Sequence, residues 1–129
     1  QYLTAKINRD SSPWIQLTTF VRGHLFISTV LQPWFFFSFM ESKNLDFSNK
    51  EIAKNNEIKS EKVISEFIEL GVNENIFASS NIFLSTMYIK QFLQGWYIKY
   101  QKYKTAKIHC ETYADFVIDQ LQVHFNYNR

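Results

Sequence analysis

Residues 47–72 read FSNKEIAKNNEIKSEKVISEFIELGV, and this stretch decides the fold class because it holds a helix start, a helical face and a helix stop in one segment. Ser48 and Glu51 stand at capping-box spacing, so each side chain can take up a backbone N–H that the first turn leaves open, while Phe47 and Ile52 can close a hydrophobic staple around the cap. The next turns are polar through Lys54, Asn55, Asn56 and Glu57. Ile64, Phe67 and Ile68 then gather on one face, as in a helix that buries one stripe. Gly71 predicts the stop: as a left-handed C′ residue it would set Val72 at C″ against Phe67 at C3.

Upstream, Ser12-Pro13 reads as an N-cap followed by proline at the first helical position. Trp14, Leu17, Val21, Leu25 and the run from Ser28 to Leu31 then recur at helical spacing. From Gly23 to Met40 no residue carries a formal charge, and Trp34, Phe35, Phe36, Phe37 and Phe39 lie within that run. A membrane-spanning helix needs about 20 predominantly apolar residues, whereas this stretch is interrupted by His24, Gln32 and Pro33. It divides into two buried helices, one ending near Leu31 or Gln32 and the next starting at Pro33.

Downstream, Ser79 and Ser80 are candidate caps for a helix from about Asn81 to Lys104. Ile82, Ile89, Trp96 and Tyr103 repeat along it every seventh residue, with Phe92 between them, which makes a packing seam. A last helix from about Cys110 to Asn126 carries Tyr113, Val117, Leu121 and His124 on one side and Phe116 and Val123 on a neighbouring one. A terminal helix of a small domain needs one buried stripe; two apolar faces on each of the last two helices imply a partner as well.

The chain has 129 residues, 46% hydrophobic and 20% charged, which bounds it to one ordinary globular domain, residues 1–129. With three Gly and two Pro, turn signals are scarce, and the expected architecture is all-α, a bundle of about five to six helices. Aromatic residues make up 18%, including thirteen Phe, more flat apolar surface than core stability alone requires. Fourteen basic and twelve acidic residues are interspersed, so no basic stripe for phosphate neutralisation stands out. Lys99, Lys102, Lys104 and Lys107 suit a solvated helix end better than a nucleic-acid patch. The single cysteine, Cys110, excludes an internal disulfide and fits a reducing compartment, with the cytoplasm as the expected location.

Enzymatic signals are sparse. His109 and Cys110 are adjacent rather than at ligand spacing, no paired-cysteine or His-Glu-His pattern suggests zinc, and no glycine-rich phosphate loop is present. Neither a metal nor another cofactor is expected.

The run from Val63 to Phe77, an apolar helix ending at Gly71 followed by the polar turn Val72-Asn73-Glu74-Asn75, resembles a helix and turn common in TetR-family transcriptional regulators. Ser12-Pro13-Trp14 through Phe20 is similar to that family's first sensor-domain helix. Gln94-Gly95-Trp96 resembles part of its first dimer-bundle helix, and Tyr113-Ala114-Asp115-Phe116-Val117-Ile118-Asp119 the start of its second. The likeness covers nearly the whole chain through the order and spacing of its pieces. Two positions depart from it: no helix-turn-helix segment is present, and Asn75 stands where the family frequently has glycine.

The resemblance implies the ligand-sensing and dimerising half of a TetR-like regulator, a homodimer that contacts DNA only through a helix-turn-helix domain upstream in a longer parent. A hydrophobic, apolar or aromatic effector would bias the spacing of the two DNA-binding halves. Candidate pocket walls are Phe20, His24, Phe36 and Met40 from the first half of the chain, and Phe67, Met87, Tyr88 and Gln91 from the second. Candidate dimer contacts are Phe92, Gly95, Trp96 and Lys99 on one helix and Val117, Gln120, Leu121 and His124 on the other; Gly95 would allow close approach and Trp96 would anchor. Intramolecular packing suits the same residues at helical spacing. The competing functional class is a free-standing helical carrier or adaptor for a hydrophobic ligand or a protein partner.

Overall fold

The computed structural model describes residues 12–41 and 47–127, apart from the side chains of residues 47–50 and 53. All regular structure among them is helical: α1 (Pro13–Val30), α2 (Gln32–Met40), α3 (Phe47–Asn73), α4 (Ile82–Ile98), α5 (Tyr100–Thr105) and α6 (Cys110–His124).

Helix α1 is the axis of the bundle. Its start follows from local chemistry, since the Ser12 hydroxyl accepts the Ile15 N–H at 3.3 Å and Pro13 fills the first turn. Leu17, Phe20, Val21 and Leu25 are wholly buried, each worth about 1.5–3 kcal/mol of apolar transfer. Around them α3 supplies Ile64, Phe67 and Ile68, α4 supplies Ile89 and Leu93, and α6 supplies Val117 and Leu121, all in one core. Arg22 pairs with Asp115 at 2.7 Å on the surface where α1 meets α6. Ser65 and Thr86 share a hydrogen bond of 2.8 Å between α3 and α4.

Helix α3 departs from the sequence reading at both ends. It already includes Phe47 and Ser48, so its range begins upstream of the expected cap; the side chains of the expected box and staple at those two residues lie outside the described ones. At the far end it runs through Gly71 to Asn73, and no glycine has a positive φ among the described residues. The left-handed residue is Asn75, with φ 58°. The Ile76 N–H reaches the Gly71 carbonyl at 2.8 Å and the Asn75 N–H reaches that of Val72 at 3.0 Å, the bond pair of a Schellman cap. Asn75 therefore performs the turn that glycine performs elsewhere. Gly71 serves another purpose: the Phe77 ring occupies the space a Cβ would need.

The expected helix from Asn81 to Lys104 divides at Lys99 into α4 and the single-turn continuation α5. Lys107 and Asn126, with φ 61° and 50°, close α5 and α6 with the same double hydrogen bond seen after α3.

Helix α2 differs most from expectation. Leu31 breaks the chain direction after α1, but none of the residues of α2 is buried. It hangs on α4 through the Gln32 amide, which donates to the Tyr97 carbonyl at 2.9 Å, and through Phe35, which packs on Tyr97 and His24. Trp34 and Phe37 are each 59% exposed. Nine residues offer about two and a half turns, and the contacts with α1 and α4 cover only one side of them. No helix among the described residues is long and apolar enough to cross a membrane.

Candidate functional site

Helices α4 and α6 run antiparallel, as their side-chain pairs establish. At one end His124 meets Ser85 at 2.9 Å and stacks on Tyr88 with ring centroids 4.5 Å apart. Toward the other end the Tyr113 hydroxyl donates to the Phe92 carbonyl at 2.6 Å, and its ring lies 4.8 Å from that of Trp96. Burial and the neighbouring Tyr103 hold the Tyr113 hydroxyl well above the ordinary phenol range. Partial burial, with one side of the ring exposed, pushes the His124 imidazole down.

The outer side of this pair carries two stripes. Leu84, Tyr88 and Phe92 follow one another at four-residue spacing along α4, and Phe116, Gln120 and Val123 descend α6 beside them. Leu84 is 62% exposed, Phe116 54% and Val123 78%. None of the six bears a formal charge at neutral pH, and the Phe92 and Phe116 rings touch edge to face across the gap at 6.4 Å. Gly95 continues the α4 stripe. A Cβ there would meet only the Tyr113 hydroxyl, at an ordinary 3.7 Å, so packing within the chain does not require glycine. A glycine inside a helix nevertheless costs about 1 kcal/mol relative to alanine.

The eight residues expected at a dimer interface separate accordingly. Phe92, Gly95 and Gln120 are partly exposed, Lys99 and His124 exposed. Trp96, Val117 and Leu121 are core: Trp96 is 1% exposed, its indole N–H donates to Thr29 Oγ1 at 2.8 Å, and its ring stacks on Tyr103. Trp96 faces the chain's own core because the seven-residue repeat from Ile82 to Tyr103 is the inward seam of α4 and α5, and Val117 and Leu121 lie on the buried side of α6. Leu84, Tyr88, Phe116 and Val123 belong to the stripes instead; the neighbouring apolar side of the last helix already marked Phe116 and Val123 in the sequence.

The eight expected pocket residues occupy several environments. Phe20 and Phe67 pack edge to face in the core, with centroids 6.1 Å apart. His24 lies between Phe20 and Phe35, its Nδ1 buried without a hydrogen-bond partner. Burial first, and the charge of Lys90 second, push its pKa down to about 4. Phe36 and Met40 are exposed on α2, and Tyr88 belongs to the outer stripe. Met87 and Gln91 line an open groove of about 320 Å³ between α3 and α4. The eight are thus spread over the core, α2, the outer stripe and this groove.

In that groove Lys90, 8% exposed, has Glu57 at 3.7 Å and Glu61 at 3.9 Å, and the Gln94 amide donates to Glu57 at 3.2 Å. The charge of Lys90 is thus matched by carboxylates at the groove's edge. No three His, Cys, Asp or Glu side chains among the described residues are grouped so as to hold a metal ion. Comparison with protein-family models, with curated proteins and with solved structures finds no match.

Proposed function

We propose that the chain is the effector-binding and dimerising domain of a TetR-like transcriptional regulator, with α4 and α6 of two copies forming a four-helix bundle. The observation that carries this reading is the pair of largely apolar stripes on antiparallel neighbours, flanked on α6 by the exposed Asp119. A two-fold axis normal to them would set each stripe against its own copy and close the apolar surface of both chains at once. Gly95, dispensable to packing within the chain, gives the crossing helix room.

The regulatory consequence is a two-state dimer in which an effector favours one spacing of the protomers. DNA would be contacted only by the helix-turn-helix domain of a longer parent, in the cytoplasm, and the domain itself performs no chemistry. Amide hydrogen exchange read at low and high protein concentration tests the bundle. Protection that rises with concentration in residues 84–95 and 112–123 supports it; protection independent of concentration there contradicts it.

The exposed aromatic side of α2 favours a second reading, an adaptor whose Trp34 and Phe37 hold another protein. Concentration-dependent protection confined to residues 32–40 would support that reading instead.

A further inference from the structure

Away from both stripes and the expected pocket, α1, α4, α5 and α6 converge on a second groove of about 380 Å³. Thr29 and Trp96 contribute to its floor, Tyr100 to its aromatic wall, and Lys104, Lys107 and His109 to its rim. Its residues include three basic side chains and no carboxylate. Among the described residues the ion pairs involve Arg22 and Lys90, and neither rim lysine has a carboxylate partner.

The rim is also held in place. Lys107 adopts φ 61°, a conformation unfavourable for a side chain with a Cβ. It is fixed there by its own N–H to the Lys104 carbonyl at 3.0 Å and by the Ile108 N–H to the Tyr103 carbonyl at 2.9 Å. Below it, Trp96 and Tyr100 meet edge to face, with centroids 5.6 Å apart. The groove has the size of a small-molecule site, with apolar aromatic surface and a few polar groups at one side.

We infer that this groove binds an anionic aromatic small molecule, an aryl carboxylate of one or two rings, with its carboxylate on Lys104 and Lys107 and its ring against Tyr100, above the buried Trp96. An ionic hydrogen bond is stronger than a neutral one, and the aromatic wall disfavours a small hydrated anion as the preferred occupant. The occupant would touch Thr29 at the core-facing end, where Thr29 Oγ1 takes the Trp96 N–H and itself donates to the Leu25 carbonyl at 2.7 Å. Occupancy would therefore act on the link between α1 and α4. As an effector site the groove rests on the regulator reading above; as a binding site it is tested independently.

The test is calorimetric titration with 2-naphthoate, 2-naphthamide and inorganic phosphate, alongside the rate at which iodoacetamide alkylates Cys110, a partly exposed thiol that lines the same groove. Lys104→Gln and Lys107→Gln alter exposed side chains, and circular dichroism checks their fold. Saturable 2-naphthoate binding, weakened roughly tenfold by each substitution and by the amide, with Cys110 alkylation slowed severalfold, supports the inference. Equal affinity for acid and amide, phosphate binding as tight as naphthoate, unchanged affinity in both variants, or unchanged Cys110 alkylation would overturn it. Naphthoate binding that leaves the association of two chains unchanged keeps the site and removes its effector role. The titration reads the site in monomer or dimer alike, so loss of the dimer does not decide it.

Discussion

The Phe77 ring lies directly over Gly71, in the volume that a Cβ on residue 71 would fill. Phe77 in turn stacks on Phe125 at 4.7 Å and meets Trp14 edge to face at 6.2 Å, so the ring is fixed by α6 and α1 as well as by its own turn. Gly71→Ala gains helix propensity but forces this cluster apart. The expected net loss is about 1–3 kcal/mol, the cost of overpacking, read as a lower urea midpoint with unchanged slope.

The opposite sign is expected at Gly95, where a Cβ has room. Gly95→Ala should raise the stability of the single chain by roughly 0.5–1 kcal/mol while loosening any helix packed across it. Denaturation at low protein concentration and association at high concentration should therefore move in opposite directions; a change in the same direction would mean that Gly95 faces no partner.

Asn75 closes α3 in the left-handed region. Replacement by glycine should be neutral or slightly stabilising, whereas Asn75→Ala should cost about 1 kcal/mol, because alanine keeps the Cβ that crowds the following carbonyl and loses the short polar side chain that eases asparagine into this conformation. Thermal melts of the two variants side by side read the difference.

His24 gives a pH dependence whose sign is fixed. Its folded pKa is depressed to about 4 from an ordinary 6.5, so on acidification the unfolded chain takes up a proton that the folded chain refuses. Stability is complete above 6.5 and is lost as pH falls toward the folded value. The loss between 6.5 and about 5 should be roughly 2 kcal/mol, and His24→Leu should remove it. Urea titrations of both proteins over that window decide; identical slopes against pH would contradict the assignment to His24.

Which parts of this architecture were legible follows from how local their causes are. The start of α1 is written in Ser12 and Pro13 because a cap is made by neighbours in sequence. The role of Gly71 is not, since glycine serves equally for a left-handed turn or a close approach, and the ring that selects between them belongs to a residue beyond the helix. The exposure of α2 was hidden for a related reason: its aromatic composition is local, but the area available to cover it is set by the rest of the fold. Trp96 and Phe116 illustrate the same difficulty in the candidate interface. Periodicity shows that α4 and α6 have two apolar sides, and only the assembled bundle shows that Trp96 turns toward Thr29 while Phe116 turns to solvent.

Mass by light scattering across a range of concentrations, on the wild-type chain and on Phe116→Glu, tests the dimer most directly. Phe116 is 54% exposed, so a carboxylate there remains hydrated in a monomer, whereas one at Trp96 would be buried unpaired and would unfold the domain. The account predicts a wild-type dimer and a Phe116→Glu monomer with unchanged helix content. A wild-type monomer at every concentration, or a dimer unaffected by Phe116→Glu, would contradict the proposed bundle.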